Sequence, residues 1–310
     1  MKRITIILTV IASFAIVKTQ AQQMYHISQY MFNDYVFNPA IGGIHDYYQV
    51  RTNYRYQWAG IKDAPRTYLL SAYGPHKAMP MGYGGFIYSD VSAATSQLGL
   101  YGSYAYNVLI TTDIRLSMGA FMGLKQFKVA KDQLKPGTEG DPVYEGVEFV
   151  KYMPDANIGG YIYNSQFYFG ASFNQLFGNK IEFLDEYDTK DVMRKLNNHF
   201  FVTGGYKYNV TRDLDLEGST FFKIVRSAPV QMDLTVRGIW QKTAWGGISW
   251  RTGDAIVVLA GYNYSDMLYI GYSYDVTTSQ LRKLQSGSHE FMIGARFNSI
   301  KNSGAKRKIR

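Results

Sequence analysis

The sequence predicts an all-β fold, a transmembrane β-barrel of the outer-membrane type with about fourteen antiparallel strands. Three observations lead to this prediction. Residues alternate with a period of two from Asp46 onward, aromatic residues and glycine are abundant, and no apolar run after residue 21 is long enough for a membrane-spanning helix. Aromatic residues make up 16% of the 310 residues, whereas charged residues make up only 18%. Tyr and Trp favour membrane–water interfaces, and glycine relieves crowding in curved sheets.

The first 21 residues have the three parts of a secretory signal peptide. Lys2 and Arg3 precede an apolar run from Ile4 to Val17, and Thr19-Gln20-Ala21 fits a cleavage site. An uncleaved amino-terminal helix fits these three regions less well. The sequence therefore predicts export to the outer membrane, with Gln22 as the mature amino terminus.

The alternation separates apolar from polar side chains along each predicted strand. In "YYQVRTNYRYQ" (47–57), Tyr48, Val50 and Tyr54 lie on one face, and Arg51 and Arg55 lie on the other. Strands of soluble sandwiches alternate as well, but many segments here reach the ten or so residues that a tilted membrane strand needs. The predicted strands are 46–56, 66–74, 82–91, 96–107, 113–125, 155–163, 166–175, 199–209, 213–225, 230–240, 243–251, 254–263, 267–275 and 288–298.

The connections between these strands support the same topology. With a periplasmic amino terminus, every second connection faces outward, and these include the three longest, at 126–154, 175–198 and 276–288. Short periplasmic turns and long outer loops are typical of outer-membrane barrels. The predicted organisation is a signal peptide at 1–21, a periplasmic or plug segment at 22–45, the barrel at 46–298 and a basic periplasmic tail at 299–310.

The segment "YMFNDYVFNPAIGG" (30–43) is unusually apolar for a mature amino terminus. Exposed together, its aromatic side chains would form a costly patch. It is expected to begin on the periplasmic side and either to fold into the lumen as a plug, the favoured alternative, or to dock a periplasmic partner. "HISQYMFND" is expected to form a short helix that Asn38-Pro39 ends. The candidate contact residues of the segment are Tyr30, Phe37, Asn38, Pro39 and Ala40.

No pattern in the sequence predicts catalysis, a metal site or a cofactor. The chain has no cysteine, and its five histidines have no metal-ligand spacing. No Ser–His or Asp–His set resembles an activated nucleophile. "GYGG" (82–85) lacks the spacing and the lysine of a phosphate loop and suggests a curved strand. Basic residues are scattered apart from the tail, so nucleic-acid binding is not expected.

Two connections are predicted to meet at the outer mouth of the barrel. "RYQWAGIKDAPRT" (55–67) follows the first strand, and 281–290 leads into the last, which must pair with the first to close the barrel. We expect them to form one surface for cargo or a partner, although a local structural role for Trp58 is an equal alternative. The candidates are Arg55, Gln57, Trp58, Gly60, Ala64 and Pro65 in one connection and Gly287, Ser288, His289 and Glu290 in the other.

Five segments in order resemble a known family. They are "YHISQYMFNDYVFNPAIGG" (25–43), "RYQWAGIKDAPRT" (55–67), "PDANIGGYIYNSQFYFGASFNQLF" (154–177), "SAPVQMDLTVRG" (227–238) and "IGYSYDVTTSQLRKLQSGSHEFMI" (270–293). The chain resembles the PorP/SprF family of outer-membrane proteins, associated with type IX secretion and gliding in Bacteroidetes. One departure is Asp63, since the family commonly has Gly before this Ala-Pro pair.

The resemblance implies a non-enzymatic barrel that helps cargo cross the outer membrane or stay there. The implied partners are periplasmic lipoprotein and ring components of type IX secretion, outer-membrane lipid, and in some members one exported surface protein. The residues leave open whether this chain is a core component or the partner of one cargo. A passive porin for small solutes is the alternative function.

Overall fold

The computed structural model of this chain describes residues 24–130, 148–181, 194–226 and 228–297. The predicted signal peptide and basic tail lie outside these residues. Fourteen strands close into an antiparallel barrel, which confirms the predicted fold class and strand count. They are β1 Tyr48–Tyr56, β2 Arg66–Pro75, β3 Met81–Ser92, β4 Thr95–Leu109, β5 Arg115–Ala130, β6 Glu148–Tyr163, β7 Phe167–Asn174, β10 His199–Asn209, β11 Leu214–Val225, β12 Gln231–Trp240, β13 Ala244–Arg251, β14 Ala255–Tyr264, β15 Leu268–Thr277 and β16 Ser288–Phe297.

The first and last strands close the barrel in a continuous register. Tyr54 of β1 lies opposite Tyr68 of β2 on one side and Phe291 of β16 on the other. The predicted loop at 126–154 was wrong at both ends, because β5 and β6 stay paired as far as Ala130 and Glu148. Beyond the barrel wall, β8 (Lys180–Ile181) and β9 (Arg194–Lys195) form a two-stranded ribbon.

The barrel has an apolar outer face and a polar inner face. In β16, Phe291 and Ile293 are 52% exposed, whereas the neighbouring Glu290 faces the lumen and is fully buried. The same division holds in β1, where Arg51 and Arg55 point inward. A surface this rich in exposed apolar side chains requires lipid rather than water. Among the described residues, no helix has the length and hydropathy to cross a membrane.

The two ends of the barrel differ in their connections. At one end, which we call the turn end, lie the start of β1, the end of β16 and short turns such as 164–166, 241–243 and 265–267. At the other, the loop end, lie 57–65, 278–287 and the connections between β5 and β6 and between β7 and β10. Short turns are periplasmic in outer-membrane barrels, so the turn end is assigned to the periplasm and the loop end to the exterior.

Residues 24–44, which we call the plug, fill the lumen. The plug contains two short 3-10 helices, Asp34–Val36 and Pro39–Gly43, and is otherwise irregular. The predicted helix over "HISQYMFND" was therefore wrong. In its place the stretch makes a single turn, in which Phe32 N–H donates to the Gln29 carbonyl, and the backbone N–H groups of Ser28 and Gln29 donate to the wall carboxylate of Glu290.

The plug runs opposite to the expected direction. The Met24 backbone N–H lies 3.3 Å from Nε2 of His199, the first residue of β10, at the loop end. The Gly43 carbonyl accepts a hydrogen bond of 2.8 Å from Asn107, near the turn end of β4. With the loop end assigned to the exterior, the segment begins at the end opposite to the periplasmic side that was expected. The chain enters the lumen from the loop end and leaves it at the turn end, where β1 begins.

This direction predicts that Met24 is reached from outside the cell. The chain has no cysteine, so single cysteines can be labelled without background. We expect Met24→Cys to react with a membrane-impermeant maleimide on intact cells. Lys242→Cys, exposed in a turn at the other end, should react only after the outer membrane is permeabilised. The reverse pattern would show that the plug or the barrel is oriented the other way.

Candidate functional site: the plugged lumen

An aromatic core joins the plug to one side of the barrel wall. The ring of Tyr35 stacks on that of Tyr73 with centroids 3.9 Å apart and meets Phe121 edge-to-face at 5.1 Å. Phe37 lies between Phe201 and Phe221, with centroid distances of 5.4 and 5.0 Å. Tyr35 and Phe37 are buried, and burial of such rings contributes about 1.5–3 kcal/mol each relative to exposure. The apolar segment at 30–43 therefore contributes its aromatic side chains to the core of the molecule.

Polar atoms fix the position of these rings. The Tyr30 hydroxyl bonds to the hydroxyls of Ser219 and Thr235 at 3.0 and 3.1 Å. The Tyr35 hydroxyl lies 2.6 Å from that of Ser103. Each tyrosine thus buries its ring while its hydroxyl keeps a partner in the wall, which gives the plug a single register.

Asn38-Pro39-Ala40 forms the hinge where the plug turns along the wall. The Asn38 side-chain oxygen caps the second 3-10 helix by accepting from Ala40 N–H at 3.0 Å, and its Nδ2 donates to the Gly160 carbonyl at 3.0 Å. The Ala40 carbonyl accepts from the Ser117 hydroxyl. Asn38-Pro39 was expected to end a helix; it follows the end of the first 3-10 helix at Val36 and also starts the second.

Wall glycines let the plug backbone approach closely. A Cβ on Gly119 would lie 2.7 Å from the carbonyl carbon of Pro39. A Cβ on Gly82 would collide with the Cα of Gly43. Gly82 belongs to the "GYGG" stretch that suggested strand curvature, so its requirement for glycine comes from the plug instead.

A buried ionic network, which we call the charge cluster, holds the plug at the loop end. It consists of Arg55, Asp233, Arg251, Asp275 and Glu290, and all five residues are buried. Arg55 reaches Asp275 at 2.7 Å and Glu290 at 3.4 Å. Arg251 reaches Asp233 at 3.0 Å and Asp275 at 2.8 Å. The cluster thus links five different strands of the wall, β1, β12, β13, β15 and β16.

Ser28 of the plug sits at the centre of the charge cluster. Its hydroxyl oxygen lies 2.9 Å from both carboxylate oxygens of Asp275 and accepts from Arg55 and Arg251 at 2.8 and 2.9 Å. Its backbone N–H donates to Glu290 at 2.6 Å, and that of Gln29 donates at 3.1 Å. Without the plug, Glu290 would lose two donors while remaining in the wall. The plug and the charge cluster therefore stabilise each other.

Arg55 and Glu290 thus have a different location from the one expected. Both were predicted at the outer mouth, but both face the lumen. Sequence reasoning missed Ser28, Asp233, Arg251 and Asp275. The alternation along the strands was the available signal. It places the three wall residues among them on inward-facing positions, where charged side chains are unusual unless they are paired.

The remaining outer-mouth candidates do come together. Ala59 N–H donates to the Gly287 carbonyl at 2.8 Å, and Ser286 N–H donates back to the Ala59 carbonyl at 2.8 Å. Trp58 N–H donates to the Ser288 hydroxyl at 3.0 Å. We call this pair of connections, residues 57–65 and 284–289, the mouth surface. His289 faces outward, where its Nδ1 lies 2.8 Å from the Tyr272 hydroxyl.

The first connection of the mouth surface has a constrained backbone. Trp58 has φ of 53°, a left-handed conformation that is rare for a bulky residue, and Gly60 has φ of 99°. Gln57 N–H bonds to the Pro65 carbonyl at 2.9 Å, and Ala64 N–H bonds to Ile61. Asp63 has φ of 57°, a left-handed conformation that Asp adopts more readily than most residues other than glycine. Whether this rigid loop binds a partner stays a prediction.

At the turn end, the plug leaves a cavity of about 410 Å³ that we call the turn-end cavity. Its floor is formed by the plug, including Asp34, and its wall by charged and aromatic side chains. Burial raises the pKa of Asp34 to about 6, against the pull of Arg51 and nearby backbone N–H groups. Burial also lowers the pKa of His45 to about 3, and Arg51 and Arg296 act in the same direction, so this imidazole is neutral at neutral pH.

The raised pKa of Asp34 predicts a pH-dependent cost to stability. The folded protein favours the protonated acid. The stability of the folded state is therefore unreduced below the ordinary pKa of 3.8, and the cost of the buried carboxylate develops as pH rises through about 6. We expect Asp34→Asn to match the wild type below pH 4 and to be more stable above pH 6, as measured by urea unfolding in detergent. An equal difference at all pH values would contradict the assignment.

The structure thus defines a class, a fourteen-stranded outer-membrane β-barrel whose lumen is occupied by its own amino-terminal segment. The family described as "Type IX secretion system membrane protein PorP/SprF" matches residues 19–295. The chain therefore belongs to the PorP/SprF family, as the five segments indicated.

Solved structures share the fold at very low sequence identity. The "CymD monoaromatic hydrocarbon channel" is 7% identical with a TM-score of 0.50, over 88% of this chain and 92% of that one. A Pseudomonas aeruginosa FadL homologue is 12% identical with a TM-score of 0.46, over 81% and 90%. These likenesses concern the barrel fold alone. No curated protein matches the sequence of this chain.

Proposed function

We propose that this chain is a non-catalytic component of type IX secretion that acts at the outer membrane through protein–protein contacts. The observation that carries the proposal is the plug, which fills the lumen with an aromatic core and is fixed by buried ionic and hydrogen bonds. A passive porin needs an open polar bore, whereas here the polar wall residues bind the plug. Membership of the PorP/SprF family supports the secretion role.

The mouth surface is the proposed exterior contact of this component. Its two connections are joined by backbone hydrogen bonds, so a partner that touches one also meets the other. Its constrained backbone favours binding because little conformational entropy remains to be lost. The partners would be an exported surface protein at this end and periplasmic secretion components at the turn end.

The mouth surface predicts coupling between Trp58 and His289. We expect Trp58→Ala and His289→Ala each to lower secretion of the cargo, and the double variant to lower it by less than the product of the two factors, since both remove the same contact. Secretion is measured in culture supernatants and on whole cells. Arg226→Ala, exposed in the connection after β11 and away from β1 and β16, is the control and should secrete normally. Strictly multiplicative effects would argue against one shared surface.

Isolation of the tagged protein from native membranes, followed by mass spectrometry, tests the proposed function directly. Type IX ring components or one large exported protein should be recovered with the wild type. The Trp58→Ala variant should lose the exported protein but keep periplasmic partners. Recovery of neither class would overturn the proposal.

A further inference from the structure

The turn-end cavity has an unequal distribution of charge pairs. On one side, Lys207 pairs with Asp215 at 2.7 Å, and Arg237 pairs with Glu217 at 2.8 Å. On the other side, Arg51 and Arg296 lie on the paired strands β1 and β16. Among the residues that the structure describes, no carboxylate forms a salt bridge with either of these two arginines. One half of the cavity thus pairs its charges directly. On the other half the two guanidinium groups form no salt bridge, and the acidic group that Arg51 acts on, Asp34, has its pKa raised by burial to about 6.

The two arginines are held in place by neutral partners. Arg51 donates through Nε and Nη2 to the Gln49 side-chain oxygen at 3.0 and 2.7 Å. The Arg296 guanidinium lies 3.9 Å from the centroid of the Tyr269 ring and 4.6 Å from that of Tyr47. Stacked in this way, a guanidinium keeps its edge for a planar anion such as a carboxylate. Arg296 Nε is buried without a hydrogen-bond partner in the described part of the chain.

Aromatic side chains complete the cavity beside these cations. Trp245, Phe32 and Tyr269 line it, and Trp245 Nε1 is a second buried donor without a partner among the described residues. A volume of about 410 Å³ is in the range of small-ligand sites and accommodates a few residues of peptide. The lining therefore combines an anion-binding side with an aromatic side.

We infer that the turn-end cavity binds a segment of a periplasmic protein that carries a carboxylate next to an apolar or aromatic side chain. A lipid phosphate is less suitable, because the cavity lies inside the lumen and acyl chains would be kept away from the membrane. The carboxylate pairs with Arg51 and Arg296, and the apolar side chain packs against Trp245. This inference rests on the proposed function for the identity of the partner as a secretion component.

The test uses the purified full chain in detergent and two small probes. N-acetyl-L-phenylalanine supplies the ring and the carboxylate, and N-acetyl-L-phenylalaninamide is the same molecule without the charge. Binding is followed by calorimetry. We expect the acid to bind at least about tenfold more tightly than the amide, in line with charge-assisted bidentate bonds.

The double variant Arg51→Gln/Arg296→Gln should bind both probes equally, whereas Arg66→Gln, at the loop end, should keep the preference. Unchanged heat-modifiable migration and unfolding of each variant confirm a folded barrel. Equal binding of acid and amide by the wild type, no binding of the acid, or a preserved preference in the double variant would each overturn the inference. The proposed function would be unaffected, since recovery of partners from membranes tests it separately.

Discussion

Deletion of residues 22–35 is expected to convert a closed barrel into a conducting pore. The deletion removes Ser28 from the charge cluster and Tyr30, Phe32 and Tyr35 from the core. Met31 and Phe32 form part of the boundary of the turn-end cavity, so their loss joins that cavity to the loop end of the lumen. A barrel of fourteen strands is wide enough to leave an aqueous path when its interior is not filled.

Planar bilayers measure this effect directly. The wild type should show little stepwise current, and the deletion variant should conduct at least about tenfold more at the same protein density, because its polar wall is then hydrated. Deletion of 299–310, which follow the last strand, is the control and should leave the current unchanged. A deletion variant that folds but stays silent would show that the plug is not what closes the barrel.

Much of the barrel was predictable because its information is local. Lipid on one side and a polar lumen on the other force alternation in every strand, so Arg51 and Thr52 could be assigned to opposite faces from sequence alone. Closure then required the first strand to pair with the last. This requirement predicts that the Trp58 connection lies beside Gly287, where the structure has it.

The path of the plug could not be predicted, because it depends on contacts between distant residues. Ser28 meets Asp275 and Glu290, which follow it by 247 and 262 residues, and nothing in the local sequence marks these partners. The plug also lacks a regular period, since only short turns bond within it and many of its polar groups bond to the wall. Its direction through the lumen is set by where the wall places its carboxylates, and alternation does not encode that position.

The Arg251→Ala substitution is expected to destabilise the barrel by about 3–5 kcal/mol, the usual cost of removing one member of a buried ionic network. The Arg251 side chain is 1% exposed and donates to Asp233, Asp275 and Ser28. Its loss leaves each of the two buried carboxylates with a single cationic partner. Asp275 keeps its ion pair with Arg55, and Asp233 keeps its ion pair with Lys223. Urea unfolding in detergent, followed by tryptophan fluorescence, measures the change.

Lys128→Ala is the matched control for this prediction. Lys128 pairs with Glu148, but the two side chains are 41% and 46% exposed. Loss of such a surface pair costs at most about 1 kcal/mol, and salt screens it, whereas a buried network responds weakly to salt. Equal stability of the two variants would show that the charge cluster does not hold the molecule together.

If Arg251→Ala is both less stable than the wild type and conducting, the same cluster that stabilises the wall also keeps the plug in place. Closure of the lumen and stability of the barrel would then depend on one set of contacts, those that converge on Ser28.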